Sequence, residues 1–214
     1  MIIVSLTSWP KRIFNVPIVL KNILNGTLKP DYIELNLSSE EFPNKEDDLP
    51  KELLEIEKLN INWEIGNSRT FKKIIPTLKK YYKKEYYLLS IDDDWIYSLD
   101  YIERMVYYLN KYSTDTFCLA NAKVIGNRQI YKSSCFSKDF WECLTENIIK
   151  TGIDDAYIEH YLLKHNKTMS YYRPDDVCEL TKVYNEISPL HDEYNQPGRL
   201  IYAEKIIKSI HFNE

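Results

Sequence analysis

The run Tyr86-Tyr87-Leu88-Leu89-Ser90-Ile91 is almost continuously apolar and ends abruptly in three carboxylates, Asp92-Asp93-Asp94. A short apolar run without polar alternation suits a strand buried on both faces. Burial on both faces requires covering layers, and the first half of the chain supplies them. Residues 2–6 form a second buried strand, while Ile33/Leu35/Leu37 and Ile61/Trp63/Ile65 alternate as half-buried strands do. Between them, Val16, Val19, Leu20, Ile23 and Leu24 recur at helical spacing before Gly26, and Leu53, Leu54 and Ile56 mark a short helix. The stretch 70–82 also reads as helical, with Pro76 beginning or kinking it. Strands alternating with helices predict an α/β fold, Rossmann-like, with a mainly parallel sheet covered on both faces. Ligands of such sheets bind beyond the carboxyl ends of the strands, and the aspartate run sits at that edge.

The second half is less regular. Helices are expected over 99–112, 140–149 and 154–165, and short strands over 117–120 and 129–131. Leu200, Ala203, Ile207 and Ile210 form a last amphipathic stripe. Residues 182–198 are polar and contain proline, as in a long lid-like loop. With no internal repeat and no firm boundary, the 214 residues read as a single domain.

Composition narrows the partners. A formal charge of −4 and a pI near 5.7 argue against a nucleic-acid binder, which carries a strongly basic face. Cys118, Cys135, Cys143 and Cys178 include no C-x-x-C pair, so zinc and dithiol chemistry lack support. The start of the chain does not read as a secretory leader and no stretch suits a membrane span, so a cytoplasmic protein with reduced thiols is expected. The 18 tyrosines reflect either a biased codon pool or aromatic platforms for sugars or bases.

Four features bear on chemistry. Three adjacent carboxylates repel one another, and a hard divalent cation with oxygen ligands offsets that repulsion. The bland alternative is a solvated turn that caps the next helix. Asp154-Asp155 opens a helix, where acids serve either as caps or, near an acceptor hydroxyl, as a general base. Thr7-Ser8-Trp9-Pro10-Lys11-Arg12 follows the first strand as either an exposed loop or a nucleotide contact, with Arg12 able to pair with phosphate. In Phe71-Lys72-Lys73-Ile74-Ile75-Pro76 the lysines either line a solvated helix face or meet a phosphate. His160 and His165 are five residues apart and do not share a helix face, while His191, beside Asp192 in the lid-like loop, is either a surface histidine or the one that completes a metal shell. His211 is a weaker version of the same idea.

Four pieces in order resemble small bacterial polysaccharide glycosyltransferases (capsule and lipopolysaccharide type) of the GT-A class. They are Val4-Ser5-Leu6-Thr7-Ser8-Trp9-Pro10-Lys11-Arg12-Ile13, Lys73-Ile74-Ile75-Pro76-Thr77-Leu78-Lys79, Ser90-Ile91-Asp92-Asp93-Asp94-Trp95-Ile96-Tyr97, which resembles a D-D-D-x-x-Y form of the D-x-D motif, and Asp154-Asp155-Ala156-Tyr157. The family continues its D-x-D segment with Pro, where this chain has Ser98.

The resemblance implies a nucleotide-binding half over 1–97 and an acceptor half with a lid over 98–214. It implies Asp94 and Asp92 as ligands of Mn²⁺ or Mg²⁺, and Asp93 facing the ribose or sugar hydroxyls. Thr7, Ser8, Arg12 and Lys73 would meet the nucleotide or its phosphates. Asp155 would be the general base, with Asp154 as second choice. The donor would be a nucleoside-diphosphate sugar, UDP-sugar first, and the acceptor a glycan or lipid-linked molecule. Independently of the resemblance, the last helix, with Lys205, Lys208 and His211 beside its apolar stripe, either packs on the core or makes peripheral membrane contact. A nucleotidyltransferase and a non-catalytic sugar- or nucleotide-binding module are the competing readings. The first lacks the Gly-rich basic loop such enzymes carry, and the intact acidic groups argue against the second.

Overall fold

The computed structural model describes residues 1–119, 128–172, 181–182 and 205–210. In chain order the elements are β1 (Ile2–Thr7), α1 (Val16–Leu24), β2 (Tyr32–Ser38), α2 (Lys51–Leu54), β3 (Leu59–Glu64), α3 (Ile75–Lys80), β4 (Tyr87–Ser90) and β5 (Trp95–Ile96). These continue with α4 (Tyr101–Lys111), β6 (Thr116–Leu119), β7 (Gln129–Lys132), α5 (Asp139–Glu142), α6 (Glu146–Thr151), α7 (Asp154–Lys164), β8 (Met169–Tyr172) and β9 (Thr181–Lys182). Seven strands form one sheet in the order β3-β2-β1-β4-β7-β6-β8, and β5 pairs with β9 separately. Among the described residues of the large sheet, only β7 runs against its neighbours. The fold is a single α/β domain with a mainly parallel sheet, the class expected from the alternation of strands and helices.

Alternation along β1 divides two cores. Val4 and Leu6 pack with Val16, Val19, Leu20 and Ile23 of α1 and with Ile102, Met105 and Leu109 of α4. Ile3 packs on the opposite face with Ile75 and Leu78 of α3 and with Tyr157, Ile158, Tyr161 and Leu162 of α7. Gly26 lies where a Cβ would stand 2.8 Å from the Leu99 carbonyl, so its lack of a side chain lets the end of α1 approach the chain entering α4.

Several expected elements differ in detail. The 70–82 segment is not one helix. A 3₁₀ turn, Arg69–Lys73, precedes α3, and Pro76 stands in the first turn of α3, where its missing N–H costs no hydrogen bond. Residues 140–149 divide into α5 and α6, because Thr145 caps α6 by accepting from Ile148 N. The strand β2 is not half-buried: Glu34, Asn36 and Ser38 are as buried as Ile33, Leu35 and Leu37. Their polar groups are satisfied: Glu34 accepts from Asn60, Asn62, Lys80 and Tyr81, Asn36 donates to Thr77 of α3, and Ser38 donates to the Gly66 carbonyl. Ile65 falls beyond the end of β3 and is 96% exposed. Lys72 and Lys73 are buried rather than on a solvated face.

Candidate active site

The chain runs outward from β1 through β2 to β3, then returns to place β4 on the other side of β1. The loops leaving β1 and β4 therefore diverge, and the crevice between them is the switch point at which open α/β sheets bind ligands. Ser8 and Arg12 come from the loop after β1, and Asp92, Asp93 and Asp94 from the loop after β4.

The two loops are joined by charge. Ser8 Oγ donates to Asp93 Oδ2 at 2.6 Å. The Arg12 guanidinium spans two acids, with Nη2 2.7 Å from Asp93 Oδ1 and Nη1 2.9 Å from Asp94 Oδ2. Lys73 Nζ donates to Asp92 Oδ1 at 2.7 Å and lies 4.0 Å from Asp154 Oδ2. Each member of the aspartate run thus has a side-chain cation beside it. The repulsion that pointed to a metal is offset in this state by Arg12 and Lys73. Thr7 Oγ1 donates to the Asn36 carbonyl, which fastens the end of β1 to β2.

Burial sets the electrostatics. Asp93, with a side chain only 2% exposed, is pushed up to about 6, because desolvation outweighs Arg12 and the Ser8 hydrogen bond. Desolvation works against the Lys73 ammonium, but Asp92, Asp154 and Asp155 together hold it above the ordinary lysine range. Lys73 is therefore a permanent cation at physiological pH. Tyr97 anchors the run from below: its buried hydroxyl accepts from Asp92 N at 2.8 Å, and its own N–H donates to Asn22 Oδ1 at 2.8 Å.

The acidic pair enters from the other core. Gly152 adopts the left-handed conformation (φ 58°) that ends α6, and α7 begins two residues later with Asp154 and Asp155 in its first turn. Asp154 is buried against Lys73, whereas Asp155 is half-exposed. The sequence therefore points to residues that the fold brings together from four separate segments. His191 and His211 lie outside the described residues, as does most of the expected lid over 182–198. Among the described residues, no group of three or more His, Cys, Asp or Glu side chains is arranged to hold a metal ion unaided. No described helix is long and apolar enough to cross a membrane.

A supporting group escaped the reading of the sequence. Ser5 Oγ donates to the Lys73 carbonyl at 2.5 Å and lies 2.7 Å from Thr77 Oγ1. Asn36 Nδ2 donates to Ser5 Oγ and Thr77 Oγ1 at 3.1 and 3.0 Å. The available signal was the polar set Glu34, Asn36 and Ser38 on a strand that the parallel sheet places next to β1.

No family profile matches the sequence, and no curated protein matches it. Solved structures do share the fold. The mannosyltransferase PcManGT from Pyrobaculum calidifontis, in complex with GDP-Man and Mn²⁺, superposes with a TM-score of 0.61 at 12% identity, covering 99% of this chain and 65% of that one. TarS 1–349 from S. aureus in complex with UDP gives 0.55 at 12% identity, covering 82% of this chain and 59% of that one. The chain is thus shorter than the proteins whose fold it shares, and the GT-A-like α/β architecture implied by its motifs is the architecture of these neighbours.

Proposed function

We propose that this chain is a metal-dependent glycosyltransferase of the bacterial polysaccharide type. It moves a sugar from a nucleoside-diphosphate sugar, UDP-sugar first, to a glycan or lipid-linked acceptor with inversion. The observation that carries the reading is the meeting of Arg12, Lys73, the aspartate run and the Asp154-Asp155 pair at the β1/β4 switch point. The complexes of PcManGT with GDP-Man and Mn²⁺ and of TarS with UDP support the choice of donor class.

The donor set fits a hard divalent cation in chemical kind, since it offers carboxylate oxygens alone. Magnesium sites commonly use one or two carboxylates and complete themselves with substrate phosphates. In this reading Asp94, with Asp92, would hold Mn²⁺ or Mg²⁺ beside the donor diphosphate. The bound ion would neutralise charge on the departing diphosphate.

The chain's own groups supply the rest. Arg12, released from Asp94, pairs with phosphate oxygens through its planar fork. Lys73 stays in place as a fixed positive charge. Asp155 accepts the proton of the acceptor hydroxyl as that oxygen bonds to the anomeric carbon. The anomeric carbon–phosphate oxygen bond breaks in the same displacement, and the nucleoside diphosphate leaves. Asp154, buried beside Lys73, orients that cation and the start of α7.

The test is a thermal-melt panel of UDP, GDP, CMP, dTDP and ATP, each with and without Mn²⁺. A ligand bound only by the native state raises Tm by mass action. One diphosphate should raise Tm only when Mn²⁺ is present, and Asp94→Asn should remove that shift while still folding. An unchanged nucleotide response in Asp94→Asn defeats the metal assignment, and transfer of a nucleotidyl group with release of pyrophosphate defeats the reaction.

A further inference from the structure

At the opposite end of β4 from the aspartate run, a cavity of about 210 Å³ opens among Tyr82, Lys83, Lys84, Ser133, Ser134 and Trp141. Tyr86 precedes β4 and Asp92 follows it, so six residue steps of extended chain, roughly 20 Å, separate the two places. We propose that this cavity binds one acidic sugar residue of a glycan, at a site separate from the transfer centre and beyond the transferase reading.

Three observations support the proposal. The first is shape: the cavity falls below the range of about 300–1,000 Å³ that takes a drug-sized ligand, which suits a single ring. The second is its walls. The rings of Tyr82 and Trp141 meet at 89° with centroids 5.4 Å apart, and both residues are half-buried. A pyranose presents C–H bonds from its faces and hydroxyls from its edge. A corner of two aromatic rings takes the former, and Ser133 and Ser134 face the latter. Ser133 is already fixed, with its Oγ accepting from Tyr86 N at 3.2 Å.

The third observation is charge. The segment Lys79-Lys80-Tyr81-Tyr82-Lys83-Lys84-Glu85-Tyr86-Tyr87 holds four lysines and one acid in a chain whose net charge is −4. Lys83 and Lys84 are exposed and line the cavity beside one acid, Glu85, and their ammonium groups lie over the rings of Tyr82 and Tyr81 at 5.8 and 5.3 Å. Two lysines against one glutamate leave the lining net positive, which favours a carboxylate-bearing sugar over a neutral one. An anionic lipid surface would meet the same lysines but would make no use of a concave corner of rings.

The experiment follows the Trp141 indole N–H signal in ¹H–¹⁵N spectra of the full chain. The probes are trigalacturonate, maltotriose and phosphatidylglycerol vesicles. Trigalacturonate should shift that signal saturably, maltotriose at least tenfold more weakly. Tyr82→Ala should weaken binding about tenfold, the value of one well-placed ring contact. Lys83→Glu with Lys84→Glu, both on the surface and harmless to folding, should weaken it at least as much. Asp94→Asn should leave it unchanged, which separates this site from the transfer centre. A Trp141 signal indifferent to trigalacturonate, a response lost in Asp94→Asn, or a response to vesicles alone overturns the proposal.

Discussion

Two cations hold the carboxylates of the switch point, and they are mounted differently. Arg12 sits on a short loop after β1, forks across Asp93 and Asp94, and keeps 14% of its side chain exposed. Lys73 is 8% exposed, pairs with Asp92 and faces Asp154, and its own carbonyl is fastened to the sheet by Ser5. Arg12 also has a partner that can yield, since Asp93 takes up a proton near pH 6. The acids around Lys73 hold its proton all the more firmly. The contrast is between an exchangeable counter-ion and a fixed one. Under the proposed function, an incoming diphosphate would claim the first without disturbing the fold, while the second would keep donor and acceptor sides in register.

The largest effect should come from the acceptor side. Asp155→Asn removes the proposed base, for which general-base catalysis typically contributes about 10²–10⁴-fold. Transfer should fall by that order, while the Mn²⁺-dependent Tm shift with nucleotide survives. Asp154→Asn should instead lower stability and disturb both functions, because Asp154 faces the fixed cation. If transfer tolerates Asp155→Asn but not Asp154→Asn, the two roles exchange.

Removing the cations tests the contrast directly. Lys73→Met leaves two largely buried carboxylates without their cation, and breaking such pairs costs about 3–5 kcal/mol. Arg12→Met should cost less than Lys73→Met, because Asp93 can protonate and Asp94 is partly solvated. Urea denaturation at pH 7 measures both. Equal losses would show that Arg12 is as firmly built in as Lys73.

The pH dependence of Asp93 is next in size. Its value in the fold, about 6, lies above the ordinary 3.8. The favourable balance of this group is therefore complete below about pH 4 and is lost as pH rises through 6. Asp93→Asn carries no such dependence. In metal-free buffer, the stability of Asp93→Asn relative to the parent should rise by about 3 kcal/mol between pH 4 and 7.5. A difference that stays flat with pH would mean that Arg12 fully compensates the buried charge.

Much of this arrangement was legible because strand ends are legible. The apolar run before Asp92 and the short run before Thr7 place both loops on one edge once the sheet is parallel. The pairings were not, since Arg12 and Asp94 are 82 residues apart and nothing local tells a guanidinium that will meet phosphate from one that holds carboxylates. For the lysines of 71–76 a helical projection cannot choose between a solvated face and the site, and it is the 3₁₀ turn that carries Lys72 to Glu41 and Lys73 to Asp92. The alternation in β2 misled for a related reason. A polar residue every second position marks a solvent face only if nothing covers it, and α3 with Tyr81 covers this one.

That covered polar face gives the smallest and most discriminating test. Asn36 donates to Ser5 and Thr77, which in turn set the carbonyl of Lys73, but Asn36 forms no ion pair itself. Asn36→Ala strips those donors and leaves buried acceptors short of a partner, at about 1–3 kcal/mol. If the fixed cation depends on this mounting, transfer should fall by more than the lost folded population explains. Nucleotide affinity, which the proposed function assigns to the Arg12 side, should change little. A loss of activity that merely tracks unfolding would mean that Lys73 is held by its acids alone, and the difference between the two cations would then lie in their charges and not in their supports.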